Sequence, residues 1–405
     1  MTSHETLRIV HCVRSPVGGI FRHIADLATA QAAAGHQVGL ICDSSTGGAF
    51  EDAAIERLAP SLALGVVRFP MRRQIGPWDL PAVWKLASHL APLEPDILHA
   101  HGAKGGAFAR LVGTWMKIRK APVGRFYCPH GGSLHYDAAS LKGRLYFFVE
   151  RQLARVTDGL VFVSDYERKA FEDKVGAPPC PVYRVPNGLR PEEFEPVGAN
   201  PNAVDFLFIG MLRDLKGPDV FIDAIARLRD SGRPATALVV GDGPDREAYR
   251  QKVRDLGLEG QIEFRDPMPA REAFALAKTV AVPSRAESMP YIVLETLAAG
   301  KPLIATLVGG IPEIFAEKAS ALIEPGNPER LAEAMADALD HPDRLAAETE
   351  ALRRSVRERY SLERMAGTVE AAYRAFLEAD GTKPARNRPE RKTNQVNQTA
   401  GDMAP

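Results

Sequence analysis

What this chain lacks narrows its reading first. It has four cysteines, Cys12, Cys42, Cys128 and Cys180, and no two stand in C-x-x-C spacing. Three fall in or beside apolar runs, which reads as buried reduced thiols and not as a disulfide framework. It has no excess charge: 51 basic and 51 acidic residues cancel, which argues against nucleic acid as a partner. No apolar run approaches the length of a bilayer span. The opening residues, MTSHETLRIVHCV, lack the basic-then-apolar profile of a signal peptide, so the expected compartment is cytoplasmic. The turn after the first strand has no G-x-G-x-x-G, which counts against a nicotinamide-dependent oxidoreductase. What is present is 45% hydrophobic and 25% charged, the make-up of a globular protein. At 405 residues, two domains are the natural expectation.

Strand-like runs at 7–13, 37–42, 65–69, 96–100, 123–128, 159–163 and 182–185 alternate with helical patterns, among them 20–34, 80–90 and 108–118. Such alternation predicts a doubly wound α/β domain over 1–189. Residues 190–202, rich in Pro, Glu and Asn, read as a linker. The pattern then restarts. Strands are expected at 204–209, 236–240, 261–264, 279–282, 303–306 and 321–323, and helices at 218–230, 245–256, 271–278, 290–299 and 328–339. A second α/β domain over 203–342 follows, then a charged helical tract at 343–379 within a terminal segment 343–380, and a polar tail at 381–405 expected to be disordered.

The most informative stretch is PSRAESMPYIVLETLAAGKPLIATLVGGIPEIF, residues 283–315. Here a strand leaves its sheet, a polar loop follows, and a helix begins near Pro290 and stops at Gly300. Glu287 stands on the loop and Glu295 inside the helix. The N–H groups of Ser288, Met289 and Tyr291 flank Pro290 at the helix start, where free donors favour polar or anionic ligands. Either carboxylate alone reads as a cap or a solvated charge. Together, in this loop and ahead of a double glycine, they read as a site.

Pro283, Ser284, Glu287, Glu295, Ala299, Gly300, Pro302, Gly309, Gly310 and Glu313 follow P-S-x-x-E…E-x-x-A-x-G-x-P…G-G-x-x-E. This pattern resembles glycosyltransferase family 4, retaining enzymes that use nucleotide sugars. The resemblance covers about the first 375 positions and implies the GT-B fold: two Rossmann-like doubly wound parallel-sheet domains facing across a cleft. It also implies terminal helices that cross back to the first domain. The family usually has Gly-Phe-Pro or Gly-Leu where this chain has Ser288-Met289-Pro290, a departure on the loop that would face the sugar.

The resemblance assigns further residues. Gly18-Gly19, after the first strand, reads alone as a tight turn; by resemblance it lets backbone approach the donor diphosphate. His130, in Cys128-Pro129-His130-Gly131, reads alone as structural; by resemblance it faces the transferred sugar. Arg213 and Lys216 follow Gly210, and fixed cations there would stabilise a leaving diphosphate. Lys216 matches the family pattern, whereas Met211 occupies the usual arginine position and Arg213 is displaced by two. Gly241 and Gly243 resemble a segment near the nucleotide base. Glu287 would contact the sugar and Glu295 the ribose hydroxyls. His99 and His101 share a strand face, but with no carboxylate or cysteine partner evident they are read as an acceptor-facing rim and not as a metal pair. No two aspartates stand in D-x-D spacing, so no metal and no cofactor is expected beyond the nucleotide sugar itself.

Two basic amphipathic tracts, 141–156 and the segment with Trp115, Met116, Lys117, Arg119 and Lys120, fit either core-facing helices or a surface that meets anionic lipid at the inner face of the plasma membrane. The resemblance implies a nucleotide-sugar donor and a polyprenyl-linked or saccharide acceptor of surface polysaccharide assembly, and the second reading of the two tracts adds a membrane surface. The alternatives left open are a non-catalytic sugar-nucleotide-binding protein and the oxidoreductase.

Overall fold

The computed structural model describes residues 5–119, 121 and 123–381. Lys120 and all of the tail except Gly381 lie outside the described residues, and with them the expectation of disorder.

The first domain runs β1 (Arg8–Val13), α1 (Gly18–Ala33), β2 (Gln37–Asp43), α2 (Ala49–Leu58), β3 (Gly65–Phe69), α3 (Asp79–Leu90), β4 (Ile97–His101), α4 (Ala103–Ile118), β5 (Gly124–Cys128), α5 (Leu141–Ala154), β6 (Gly159–Phe162), α6 (Asp165–Lys174) and β7 (Val182–Arg184). The second runs β8 (Val204–Ile209), α7 (Pro218–Asp230), β9 (Ala237–Val240), α8 (Arg246–Asp255), β10 (Ile262–Arg265), α9 (Ala270–Ala275), β11 (Ala277–Val282), α10 (Tyr291–Ala298), β12 (Leu303–Ala305), α11 (Ile311–Phe315) and α12 (Pro328–Asp340). Two further helices, α13 (Pro342–Arg359) and α14 (Leu362–Ala379), close the described chain.

Both sheets are parallel, and their strands are apolar nearly throughout because helices cover both faces. The orders are β3-β2-β1-β4-β5-β6-β7 and β10-β9-β8-β11-β12. The chain winds outward in one direction from β1 and then returns to β4 on its other side; β8 and β11 repeat the arrangement. These two reversals matter for function, because a crevice opens beyond the strand C-termini where the winding reverses.

The terminal helices join the domains. Val356 of α13 and Val369 and Tyr373 of α14 share one apolar cluster with Phe126 of β5 and Leu294 of α10. Each such side chain contributes about 1.5–3 kcal/mol on burial, so α14 is anchored on the first domain, against α1, β5 and β6. The linker is anchored too, since Pro191–Phe194 forms a 3-10 turn with Glu193 and Phe194 buried.

Three expectations fail locally. Residues 321–323 form no strand: a 3-10 turn occupies Ala316–Ala321, and Ile323 makes a single bridge to Thr306 before Pro325-Gly326 ends the run. The helix expected over 271–278 stops at Ala275, because Ala277 pairs with Val204 and starts β11. The tract 343–379 is two helices. It breaks at Tyr360–Ser361, where Ser361 caps α14 through Arg364 N at 3.2 Å and bridges Leu189. Among the described residues, no helix is long and apolar enough to cross a membrane.

Candidate active site

The expected site residues gather at the two winding reversals. On the second-domain side, the loop after β11 buries Ser284 and Glu287. Glu287 Oε1 accepts from Lys216 Nζ at 2.6 Å and from Ser284 Oγ at 2.8 Å. Lys216 ends the short 3-10 turn after β8, and Arg213 precedes that turn in extended backbone. Gly210 and Gly241 end the adjacent strands β8 and β9, with Gly243 packed against Leu212. The double glycine of the 283–315 stretch has a mechanical role. Gly309 has φ +58°, and a Cβ there would overlap the Glu287 carbonyl, so only glycine lets the turn after β12 brace the loop that carries Glu287. Glu313, the last residue of the pattern, reaches the other domain. It accepts from Asp165 N at 3.0 Å and Tyr166 N at 2.8 Å at the start of α6, and from Arg184 at 2.9 Å, an anion on a helix N-terminus.

First-domain groups face this side. The position of a Cβ on Gly131 would fall 2.8 Å from Ser288 Oγ, and one on Gly19 would stand 3.6 Å from the Tyr291 ring. Asn187 Nδ2 donates to the Met289 carbonyl at 2.7 Å. His135 sits among the second-domain charges: burial, then Arg213 and Lys174, push its pKa down, while Glu287 opposes them. Gly18 and Gly19 are the first residues of α1 and not a turn before it. Helix α10 begins at Tyr291 with Pro290 as its cap residue, and no side chain caps its first N–H groups.

Glu295 is not presented to open solvent. It pairs with Arg22 of α1, which also meets Glu193 and Asp26 and lies over the Tyr291 ring at 4.4 Å. Burial pushes the Glu295 carboxyl up against the pull of Arg22. Arg22 itself is held above its ordinary range, because three carboxylates outweigh its own burial. One guanidinium thus serves several anions, and a ribose bound by Glu295 would have to share it with Arg22.

The histidine expectations need correction. His99 and His101 are fully buried and form no rim. The pairings β1–β4 and β4–β5 set His11 beside His99 and His101 beside Cys128, and α1 lays His23 over them. The missing cysteine partner therefore exists: His23, His101, Cys128 and His130 converge, as do His11, His99 and His101. Within both groups the ring nitrogens also contact one another. His101 belongs to both groups and both its ring nitrogens are engaged, Nδ1 with His130 Nε2 and Nε2 with His11 Nδ1, each at 3.0 Å. Burial drives the pKa of His11 and His23 down to about 4, and those of His99, His101 and His130 well below the usual value. Burial thus favours the neutral form of each ring. His130 is half-buried with φ +51°, a left-handed turn conformation uncommon outside glycine.

Sequence reasoning missed Arg22, Asn187, His135, His11 and His23. The bond from Asn187 to Met289 joins residues of different domains, so local sequence gives no sign of it. A cavity of about 300 Å³ lined by Arg184, Arg359 and Tyr360 lies at the hinge and includes neither Lys216, Glu287 nor any of the histidines.

Comparison with known proteins agrees with this geometry. Residues 17–193 match the model of "Glycosyltransferase Family 4", and residues 203–341 that of "Glycosyl transferases group 1". Together they span well over half of the chain. It belongs to the family 4, group 1 glycosyltransferases. The D-inositol 3-phosphate glycosyltransferase of Corynebacterium glutamicum is 29% identical over 60% of this chain and 64% of its own, so the chain spans somewhat under two thirds of that relative. The enzyme of the same name from Corynebacterium efficiens is 28% identical over 72% of this chain and 71% of its own. Among solved structures, Anabaena Alr3699/HepE in complex with UDP and glucose superposes with TM-score 0.75 at 18% identity, over 91% of this chain and 100% of its own. Sucrose-phosphate synthase from Thermosynechococcus elongatus gives TM-score 0.75 at 19% identity, over 93% and 100%. The fold is GT-B.

Proposed function

We propose that the protein moves a sugar from a nucleotide diphosphate sugar to an acceptor, with retention of configuration and without a metal. The Lys216–Glu287 pair at the β8–β11 reversal, with His135 of the first domain beside it, carries this reading. As the bond from the anomeric carbon to the diphosphate breaks, Lys216 and Arg213 meet the charge that develops on phosphate, with the α1 N-terminus at Gly18 and Gly19 opposite. Glu287 is held on one oxygen by Lys216 and Ser284, which leaves its other oxygen for sugar hydroxyls. A carboxylate tethered in this way acts as a charge beside the developing cation and not as an attacking nucleophile. The acceptor oxygen bonds on the face that the phosphate leaves, and its proton passes to the departing phosphate oxygen.

For the acceptor we favour a lipid-linked saccharide of surface polysaccharide assembly, approached from the cytoplasmic face of a membrane. The support is a set of exposed apolar side chains on three successive neighbouring helices of the first domain. It comprises Leu80 and Trp84 of α3, Trp115 and Ile118 of α4, and Leu141, Leu145 and Phe148 of α5. Only Phe147, Leu153 and their neighbours on α5 turn to the core, so the expected core-facing stripe is split, and Lys142, Arg144, Arg151 and Arg155 flank the exposed part. A surface of this make-up suits anionic lipid. The second reading, a soluble polyol phosphate acceptor, is favoured by the name that the Corynebacterium relatives carry.

The deciding experiment offers a panel of nucleotide sugars with polyprenyl-linked sugars in anionic vesicles or with D-inositol 3-phosphate. Transfer to the lipid-linked acceptor, with vesicle binding that weakens as salt rises, is expected. Transfer to the inositol phosphate alone, with no vesicle binding at low salt, selects the second reading. Donors that stabilise the fold without turnover would make this a binding protein.

A further inference from the structure

His130 ends a directional chain of hydrogen bonds that runs into the interior. Its Nε2 meets His101 Nδ1 at 3.0 Å, His101 Nε2 meets His11 Nδ1 at 3.0 Å, and His11 Nε2 meets Gln31 Oε1 at 2.8 Å. A neutral imidazole has one N–H and one bare nitrogen, and the bond made by one nitrogen fixes the state of the other. Each of the three links holds one proton, so all three must point the same way. Gln31 offers a carbonyl oxygen, which can only accept. His11 must then donate from Nε2 and accept at Nδ1, His101 donate from Nε2 and accept at Nδ1, and His130 donate from Nε2. The buried Gln31 Nε2 has no hydrogen-bond partner among the described residues, so the amide is set by its oxygen's bond to His11 alone. The Tyr373 hydroxyl is engaged with His99 Nδ1 at 2.6 Å.

We propose that Gln31, through His11 and His101, fixes the tautomer of His130 with the proton on Nε2, so that Nδ1 is a hydrogen-bond acceptor. A bare Nδ1 takes an O–H donor, such as a sugar hydroxyl, and rejects a phosphate oxygen. Gln31, His11 and His101 are positioning residues, and only the kinetic consequence of the tautomer rests on the reading of His130 as facing the reacting sugar.

The test is the ring ¹⁵N spectrum of His130 in the full-length labelled protein, read by long-range ¹H–¹⁵N correlation, together with the same measurement on Gln31→Met. The wild type is expected to show the Nε2–H tautomer. Gln31→Met, which removes the acceptor at similar volume, is expected to mix or reverse it and to lower kcat by roughly 10- to 100-fold with donor KM unchanged. A wild-type proton on Nδ1 overturns the proposal, and this needs no variant should Gln31→Met fail to fold. An unmoved tautomer in a folded Gln31→Met also overturns it, whatever the activity. A moved tautomer with unchanged kcat upholds the relay and instead removes His130 from the reaction.

Discussion

On the second-domain side of the cleft the proposed working groups are ions: Lys216, Arg213 and Glu287, on short loops beyond β8 and β11. On the first-domain side stand imidazoles whose charged form burial disfavours: His11, His99 and His101 in the sheet, His23 on α1 and His130 on the turn after β5. A donor bound between them would set its diphosphate against charge and its sugar against a rigid, uncharged wall. The contrast teaches where each kind of group belongs. Ions are useful where charge develops during reaction, and neutral hydrogen-bonding groups where hydroxyls must be told apart without adding to the field.

Breaking the charged side should have the largest effect. Lys216→Ala removes a cation aimed at the leaving group and should lower kcat/KM by roughly 10²–10³, with the melting profile preserved because such half-exposed loop charges add little stability. An unchanged rate would remove Lys216 from the site. The two glutamates should separate next. Glu287→Gln should chiefly lower kcat, since a carboxylate there is worth more in the transition state than before it. Glu295→Gln should chiefly raise donor KM. Equal effects of both on KM would place Glu287 in ground-state binding only.

The neutral side should show itself in the pH dependence of stability as well as in rate. Folded-state pKa values lowered to about 4 for His11 and His23 mean that the unfolded chain binds more protons between pH ~6.5 and ~4. Their contribution is complete above pH ~6.5 and is lost as pH falls through that window. Glu167, raised to about 7 by burial, and Glu295 and Asp26, also raised, work in the opposite direction. Seven imidazoles, His89 and His135 with the five of the cluster, and the lowered carboxyls of Asp43, Asp158, Asp205 and Asp219 stand against three raised carboxyls. A net loss on acidification is therefore expected, which urea midpoints across this range would measure; a flat profile would mean the imidazoles are not held neutral. Asn187→Ala should cost about 1–3 kcal/mol, the penalty for leaving the buried Met289 carbonyl and His23 Nδ1 without their partner. No change on thermal denaturation would show that this link between domains is dispensable.

The same contrast explains what could be read in the sequence. The charged side was legible because its logic is local. Glu287, the glycines that brace it and Glu313 fall within 283–315, and Lys216 follows its own strand by a few residues. The alternation of strands and helices was legible for the same reason, although α2 and α6 went unread despite the S-x-x-E signal of Ser164 and Glu167 at the start of α6. The imidazole cluster was not legible. His11, His99 and Cys128 meet only because β1, β4 and β5 are neighbours out of chain order, so spacing along the chain left His99 and His101 looking like a partnerless pair. Arg22 and Glu295 are far apart in sequence and meet only when the domains close.

The account stands most directly on the stereochemistry of the product. Transfer from a nucleotide sugar run in EDTA, with the anomeric configuration of the product read by ¹H NMR, should give the configuration of the donor, at an undiminished rate and with no glycosylated Glu287 by mass spectrometry. An inverted product, or activity that vanishes on chelation and returns with one metal, would contradict a reaction carried by Lys216, Arg213 and Glu287.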